Sequence, residues 1–313
     1  MATSGEAEGA GYARWTFRLR VSSTTSAALM AEWDRCRWIW NESVAKSKKT
    51  HLWNKNRPED ADKVTCGPAR LDKMLTEARK RTLWLREGPS VPQQQAIRDF
   101  AKSRTKAQKD IKDRLPMARR AGMPKCKKKR EALPSLNYTR RGFRLKGGKL
   151  HLAGGISLTV VWSRDLPADP SSVRVHQGSD GHWYCSFVVP AEVQPLPETG
   201  AVIGIDWGVK ETATTTSDVH DLPHAQHGRK SAAKLARYQR MMKRREPQRG
   251  QAGSKGYERA KKLTAKLHKK VARQRQDTGR KWAKSVARDH DAFAVEDFRP
   301  KFPCQVDHGR KGR

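Results

Sequence analysis

No stretch of this sequence comes near the about 18 consecutive apolar residues that a bilayer-spanning helix needs, so a membrane span is not expected. Met1 to Ala13 are mostly small and polar, with none of the apolar centre of a secretory signal. Cysteine is scarce. Cys36, Cys66, Cys126, Cys185 and Cys304 are odd in number and far apart, and none belongs to a C-x-x-C pair. That spacing argues against a disulfide scaffold and against a structural zinc site in this sequence, and it favours a reducing cytoplasm. Apolar residues are also lean, at 36%, although ten tryptophans point to packed cores rather than disorder. The largest shortage is of acid: 32 Asp and Glu face 66 Lys and Arg, a formal charge of +34. A surplus of that size repels itself unless a polyanion neutralises it, and nucleic acid is the expected partner rather than a membrane. A cytoplasmic, nucleoid-associated protein is therefore expected. The length of 313 residues suits two domains, or one with a large insertion.

What is present has a clear order. Residues 14–21 alternate basic and apolar, predicting a half-buried strand with Arg14, Arg18 and Arg20 on its polar face. Leu29, Trp33, Cys36, Trp40 and Val44 then recur at helical spacing. Two more helical patterns follow Pro68 and Pro92, each proline placed where a first helical turn tolerates it. Residues 116–149 carry twelve Lys and Arg against one acid, with a loop-like cluster at Lys125-Cys-Lys-Lys-Lys-Arg130. Short strands are predicted at 143–145, 149–152, 156–162, 173–176 and 183–189, with turns at Gly147-Gly148 and Ser179-Asp180-Gly181. Such a series suggests a small barrel, which the strand at 14–21 could complete, making the helical unit an insertion.

Past the linker at 195–200, Ala201-Val-Ile-Gly-Ile205 is an apolar strand ending at Asp206, and Asp291-Ala-Phe-Ala-Val295 is another ending at Glu296. Both read as buried, central and parallel. Between them, residues 229–281 hold twenty Lys and Arg and three acids, in two helical patterns broken at 247–256. Read singly, Asp206 is a turn former before Gly208 and Glu296 a cap at a surface end. Together, at the carboxyl ends of neighbouring strands, they would hold Mg²⁺, which takes oxygen ligands and binds through one or two carboxylates plus substrate phosphate. The basic segments suit phosphate contact. The expected contacts are Arg18, Lys125, Lys127, Lys128, Lys129, Arg130, Arg259, Lys262, Lys266, Lys269, Lys270 and Arg273. Trp33 and Trp40 read as helix core rather than base-stacking platforms. Trp207, directly after Asp206, reads as packing on the other face.

Gly204-Ile-Asp-Trp-Gly-Val-Lys210 with its Thr-rich hairpin resembles the first RuvC-like motif of the transposon-encoded TnpB (OrfB) family. Leu235-Ala-Arg-Tyr-Gln-Arg240, the Lys-rich helix at 259–275 and Phe293-Ala-Val-Glu-Asp-Phe298 match the family in order and spacing. Cys36-Arg-Trp-Ile-Trp-Asn41 is similar to its Cys-Arg-x-x-aromatic-Asn helix. The family is related to type V CRISPR effectors. The resemblance implies an α+β multidomain protein with four parts. They are a wedge-type β-barrel (12–22 plus 113–194), a helical recognition-type insert (23–112), a partial RNase H-like (RuvC-like) α/β domain (198–300, basic helices 229–290) and a non-family tail (301–313). It implies RNA-guided DNA cleavage, with a guide RNA from the chain's own element and target DNA as partners. Asp206 and Glu296 would be the first two of three catalytic carboxylates. The family continues past the Glu with a four-cysteine zinc ribbon and a third Asp, whereas this sequence ends at Arg313. Impaired cleavage is therefore expected, a catalytically dead RNA- and DNA-binding remnant being the alternative. Asp307 lies in a polar tail unsuited to replace the third carboxylate.

Overall fold

In the computed structural model, residues 11–129, 131–191, 196–208, 210–248 and 251–296 are described. The chain divides into two units, Met1–Val193 and Gln194–Arg313. Cys304, Asp307, Arg130 and the stretch Asp297-Phe298 lie outside the described residues.

In the first unit, β1 (Gly11–Arg20) alternates as its sequence does, with Phe17 and Leu19 buried and Arg14, Arg18 and Arg20 exposed. The remaining strands are β2 (Ser135–Thr139), β3 (Phe143–Lys146), β4 (Lys149–Leu152), β5 (Ile156–Val161), β6 (Ser172–Gln177) and β7 (Trp183–Ala191). They form one antiparallel sheet in the order β2-β6-β7-β1-β5-β4-β3. β1 thus lies at the centre of a sheet whose other strands all follow residue 134. The two edge strands, β2 and β3, are separated by only the three residues Arg140–Gly142. At about 3.3 Å per residue, so short a link brings the edges together only if the sheet curls into a nearly closed barrel. Gly147 and Gly148 turn β3 into β4 with φ of +56° and +69°, the left-handed pair a tight hairpin demands.

Four helices separate β1 from β2: α1 (Ser23–Asn56), α2 (Pro68–Arg81), α3 (Leu83–Glu87) and α4 (Ser90–Lys112). Ser22 caps α1 by accepting from the Thr25 amide at 3.1 Å. α1 serves two cores. Leu29, Trp33 and Cys36 pack into the sheet with Phe17, Tyr138 and Phe187, while Ile39, Trp40 and Val44 pack with Leu71, Leu85, Ile97 and Phe100 of the other helices. Burial pushes the Cys185 thiol up to about 12, so it behaves as an inert core residue.

The second unit contains β8 (Val202–Asp206), β9 (Thr214–Thr215), α5 (His227–Lys243), α6 (Lys255–Asp289) and β10 (Ala292–Val295), its sheet ordered β10-β8-β9. α6 opens on Ser254, which accepts from the Tyr257 amide at 3.2 Å, and runs unbroken for 35 residues. Ile203, Ile205, Ala213 and Val286 form the core, with Leu222 and Trp282 against them. One expectation is corrected here. All four residues of β10 are exposed, Phe293 at 47% and Val295 at 58%. β10 pairs with β8 alone among the described strands, so its apolar sequence marks an edge strand and not a buried central one.

Candidate functional site

The register of β8 and β10 is set before either strand begins. The Asp291 carboxylate accepts from the amides of Thr199 (2.8 Å) and Gly200 (2.6 Å), and the Asp291 amide donates to the Ala201 carbonyl at 2.9 Å. The Gly200 bond, more than any other contact, holds the Asp291 carboxyl below the usual carboxylate range. From this anchor the strands run adjacent and parallel, Ala292 beside Val202 through to Val295 beside Ile205. Asp206 ends β8 and Glu296 directly follows β10, so continuing this register by one step would bring the two residues to one level, at the usual strand spacing of about 4.8 Å. Alternation puts Ile203 and Ile205 on the buried face, so Asp206 falls on the opposite one, and both Asp206 and Glu296 are exposed. Two hard oxygen donors at adjacent strand ends fit Mg²⁺ chemistry. Among the described residues, no group of three or more His, Cys, Asp or Glu side chains is arranged to hold a metal ion.

Gly204 is needed for this arrangement. A Cβ there would meet Thr216 Cγ2 at 2.8 Å, and Gly204 and Thr216 exchange bonds of 3.0 Å (Thr216 amide to Gly204 carbonyl, Gly204 amide to Thr216 Oγ1). The Thr-rich segment can therefore lie flat on β8, pairing Thr214 with Asp206. Trp207 turns to the other face and meets Trp282 edge-on, with centroids 5.7 Å apart. Trp282 in turn donates its indole N–H to the His220 carbonyl at 2.6 Å, fixing the end of α6 under β8.

The expected nucleic-acid contacts fall into two groups by position. On α6, Arg259, Lys262, Lys266, Lys270 and Arg273 are exposed and Lys269 is half-buried. At about 100° per residue, these six occupy one arc of about 100°, opposite the line of buried Ala260, Thr264 and Val286. In the first unit, Arg18 is exposed on β1, with His182 Nδ1 at 3.2 Å from its guanidinium. Lys125, Lys128 and Lys129 are exposed, but Lys127 is not. Its ammonium lies 3.7 Å from the Trp40 ring centroid and 5.0 Å from that of Trp33. Arg130 lies outside the described residues.

The Cys36–Asn41 segment explains why the basic segment is ordered, a role sequence reasoning missed. Trp40 donates its indole N–H to the Lys125 carbonyl at 2.9 Å. Asn41 both accepts from the Lys127 amide (2.8 Å) and donates to its carbonyl (3.2 Å), copying a strand pairing with one side chain. Arg37 donates to the same carbonyl at 3.5 Å while held by Asp34, and Asp34 also pairs with Lys129. The helix thus presents one basic segment in a fixed shape.

Comparison with known proteins agrees with this picture. The OrfB_IS605 family, described as "Probable transposase", matches residues 182–305. A "Putative RNA-guided DNA endonuclease" of Streptomyces pristinaespiralis is 29% identical over 72% of this chain and 53% of its own length. The "Putative RNA-guided DNA endonuclease InsQ" of Escherichia coli (strain K12) is 26% identical over 90% of this chain and 65% of its own. This chain therefore spans between about half and two thirds of these relatives. A cryo-EM structure of a Cas12f1–sgRNA–target DNA complex superposes with a TM-score of 0.52 at 12% identity, covering 92% of this chain and 81% of that one, a likeness of fold. Asp206 and Glu296 both lie within the matched residues 182–305, and most of the chain is similar to proteins named as RNA-guided DNA endonucleases.

Proposed function

We propose that this chain acts as a transposon-associated, RNA-guided DNA endonuclease-type protein, with a guide RNA from its own element and target DNA as partners. The observation that carries the reading is the parallel register of β8 and β10, which ends at Ile205 beside Val295, the residues directly before Asp206 and Glu296. In this reading residues 198–300 are a RuvC-like, RNase H-like domain. The curled sheet (12–22 plus 113–194) is its wedge-type barrel and the helices at 23–112 a recognition-type insert; the family model extends to residue 305, past the start at 301 of the expected non-family tail. Asp206 and Glu296 would hold Mg²⁺, which when bound activates water and stabilises a leaving oxygen in phosphodiester hydrolysis. The chain's own contribution is to fix both carboxylates through the Asp291 anchor and the Gly204–Thr216 contact. The cationic face of α6 in the second unit and the basic segment 125–130 in the first would each bind phosphates. Here base pairing would read sequence, and the protein backbone geometry and a short flanking motif.

The test is Mg²⁺-dependent cleavage of a duplex matched to a bound guide, comparing the native chain with Asp206→Ala and Glu296→Gln. Cutting that either substitution reduces by at least about a hundredfold supports the reading, since loss of a metal ligand removes both charge stabilisation and positioning. Guide and target binding without any hydrolysis would instead support a binding remnant that has kept the fold.

A further inference from the structure

We propose that the groove between the C-terminal halves of α1 and α4 is a pocket for one unstacked nucleotide of single-stranded RNA. This rests on the RNA-binding part of the function proposed above, and it assigns a site distinct from the strand-end carboxylates.

The groove has a volume of about 770 Å³, within the range of about 300–1,000 Å³ typical of small-molecule sites. Its walls are largely apolar. Leu52, Ile111 and Met123 are left 58%, 48% and 44% exposed, although buried Val44 and Phe100 lie beside them. An apolar patch kept open on a folded surface calls for a partner, and the charges say which kind. Lys48, His51, Arg104 and Lys112 also line the groove, and no Asp or Glu does. Arg104 is held in place by neutral groups, donating to Ser47 Oγ at 2.9 Å and to the Cys66 carbonyl at 3.3 Å, so its charge is oriented without being neutralised there. A flat apolar body carrying negative charge fits this lining. Gln108 adds an amide able to donate to and accept from a base edge.

The wall is built in advance and leads into the basic segment. Met123 and Pro124 are pinned from both sides: the Ala121 amide donates to buried Asp110 at 2.7 Å, and the Lys125 carbonyl accepts from Trp40 at 2.9 Å. Exposed Lys125, Lys128 and Lys129 follow directly, so a strand whose phosphates track them would bring a base to the groove. An amphipathic peptide helix would suit the apolar wall, but it would leave the row of lysines unanswered. Folded RNA already exposes unpaired, unstacked bases, whereas duplex DNA must first be opened, which favours RNA as the source.

The test uses the full chain and a single-stranded oligouridylate carrying one 4-thiouridine, cross-linked by light and mapped by mass spectrometry. Cross-links to Met123, Ile111 or Leu52 are expected. They should fall at least tenfold in Ile111→Glu/Met123→Glu and, independently, in Leu52→Glu, with helicity and melting temperature retained because all three side chains are exposed. Overall RNA affinity should fall much less, since α6 still binds. Tight binding with cross-links confined to α6 or to Lys125–Lys129 would overturn the pocket while leaving the proposed function intact. Equal cross-linking of the groove by a thiothymidine DNA strand would overturn the assignment to RNA, and its capture of an acidic helical peptide in preference to RNA would overturn the nucleotide altogether. No RNA binding of any kind would sink both readings together.

Discussion

Lys127 is one of 66 basic residues, yet it is held quite differently from its neighbours. Its ammonium lies over two indoles, and burial lowers its pKa from the ordinary lysine value. The charged form therefore costs something in the fold, a cost relieved as pH rises, while the aliphatic stem and the cation–π contacts offset it. Lys127→Ala should destabilise the first unit by about 1–2 kcal/mol, and Lys128→Ala by under about 0.5 kcal/mol. Denaturant melts of the two variants check this, and near-equal losses would mean that the indoles do not grip Lys127. The sequence shows six adjacent positions, five of them cations, and does not distinguish among them. The helical spacing of Trp33 and Trp40 identifies both as core, and their exposures of 3% and 9% agree. What spacing cannot reveal is that Trp40 and Asn41 spend their polar atoms on a segment some 85 residues away, because a long-range bond leaves no local period.

Among the elements, the end of α6 depends on a small charged joint. Asp289 accepts from Arg288 at 2.7 Å, and His220 Nε2 lies 3.1 Å from its other oxygen, tying α6 to the turn after β9. The Arg288 bond first, and His220 second, pull the Asp289 carboxyl down to about 2 from the ordinary 3.8. Because the folded value is the lower one, the joint is intact above 3.8 and is lost as pH falls through about 2. Amide exchange in residues 217–222 and 286–291 should therefore accelerate across that interval relative to α5, and Asp289→Asn should abolish the step. A step that survives in the variant would assign the acid sensitivity elsewhere. None of these partners sits at a helical or strand period from another, so the joint was not legible beforehand. β2 escaped for a related reason. Ser135-Leu-Asn-Tyr-Thr139 offers only Leu136 and Tyr138 as alternating apolar residues, directly after Pro134. β10 misled in the other direction, since apolar content alone does not separate an edge strand from a central one.

For the whole molecule, the +34 charge has a measurable consequence. Each phosphate neutralised contributes about −0.7 to −0.9 to the log–log dependence of affinity on salt, so RNA binding should show a slope of magnitude above about 5. Replacing Lys262, Lys266 and Lys270 together by Glu should flatten it by at least about 2 without unfolding the chain, because all three are exposed. A native slope near zero would remove polyanion binding from the account. At this scale much was legible. Alternation and turn residues gave the barrel-like sheet with β1 joining strands more than 100 positions away, and two strand-end carboxylates stood out by position. The mutual register of those strands was not, because it depends on Asp291 bonding across some 90 residues. α6 joins these scales. It runs for about 50 Å at 1.5 Å per residue and ends two residues before β10, where Trp282 and Val286 fix its rotation under β8. A rod clamped at one end has a single azimuth along its whole length, so the seat of Val286 also decides where Lys262 points, some 36 Å away. One residue added between them would turn the cationic face by about 100°, while seven would return it to within about 20°. The aim of the charged face is thus a matter of phase, and the carboxylate edge and the phosphate-facing stripe stay aligned only for particular helix lengths.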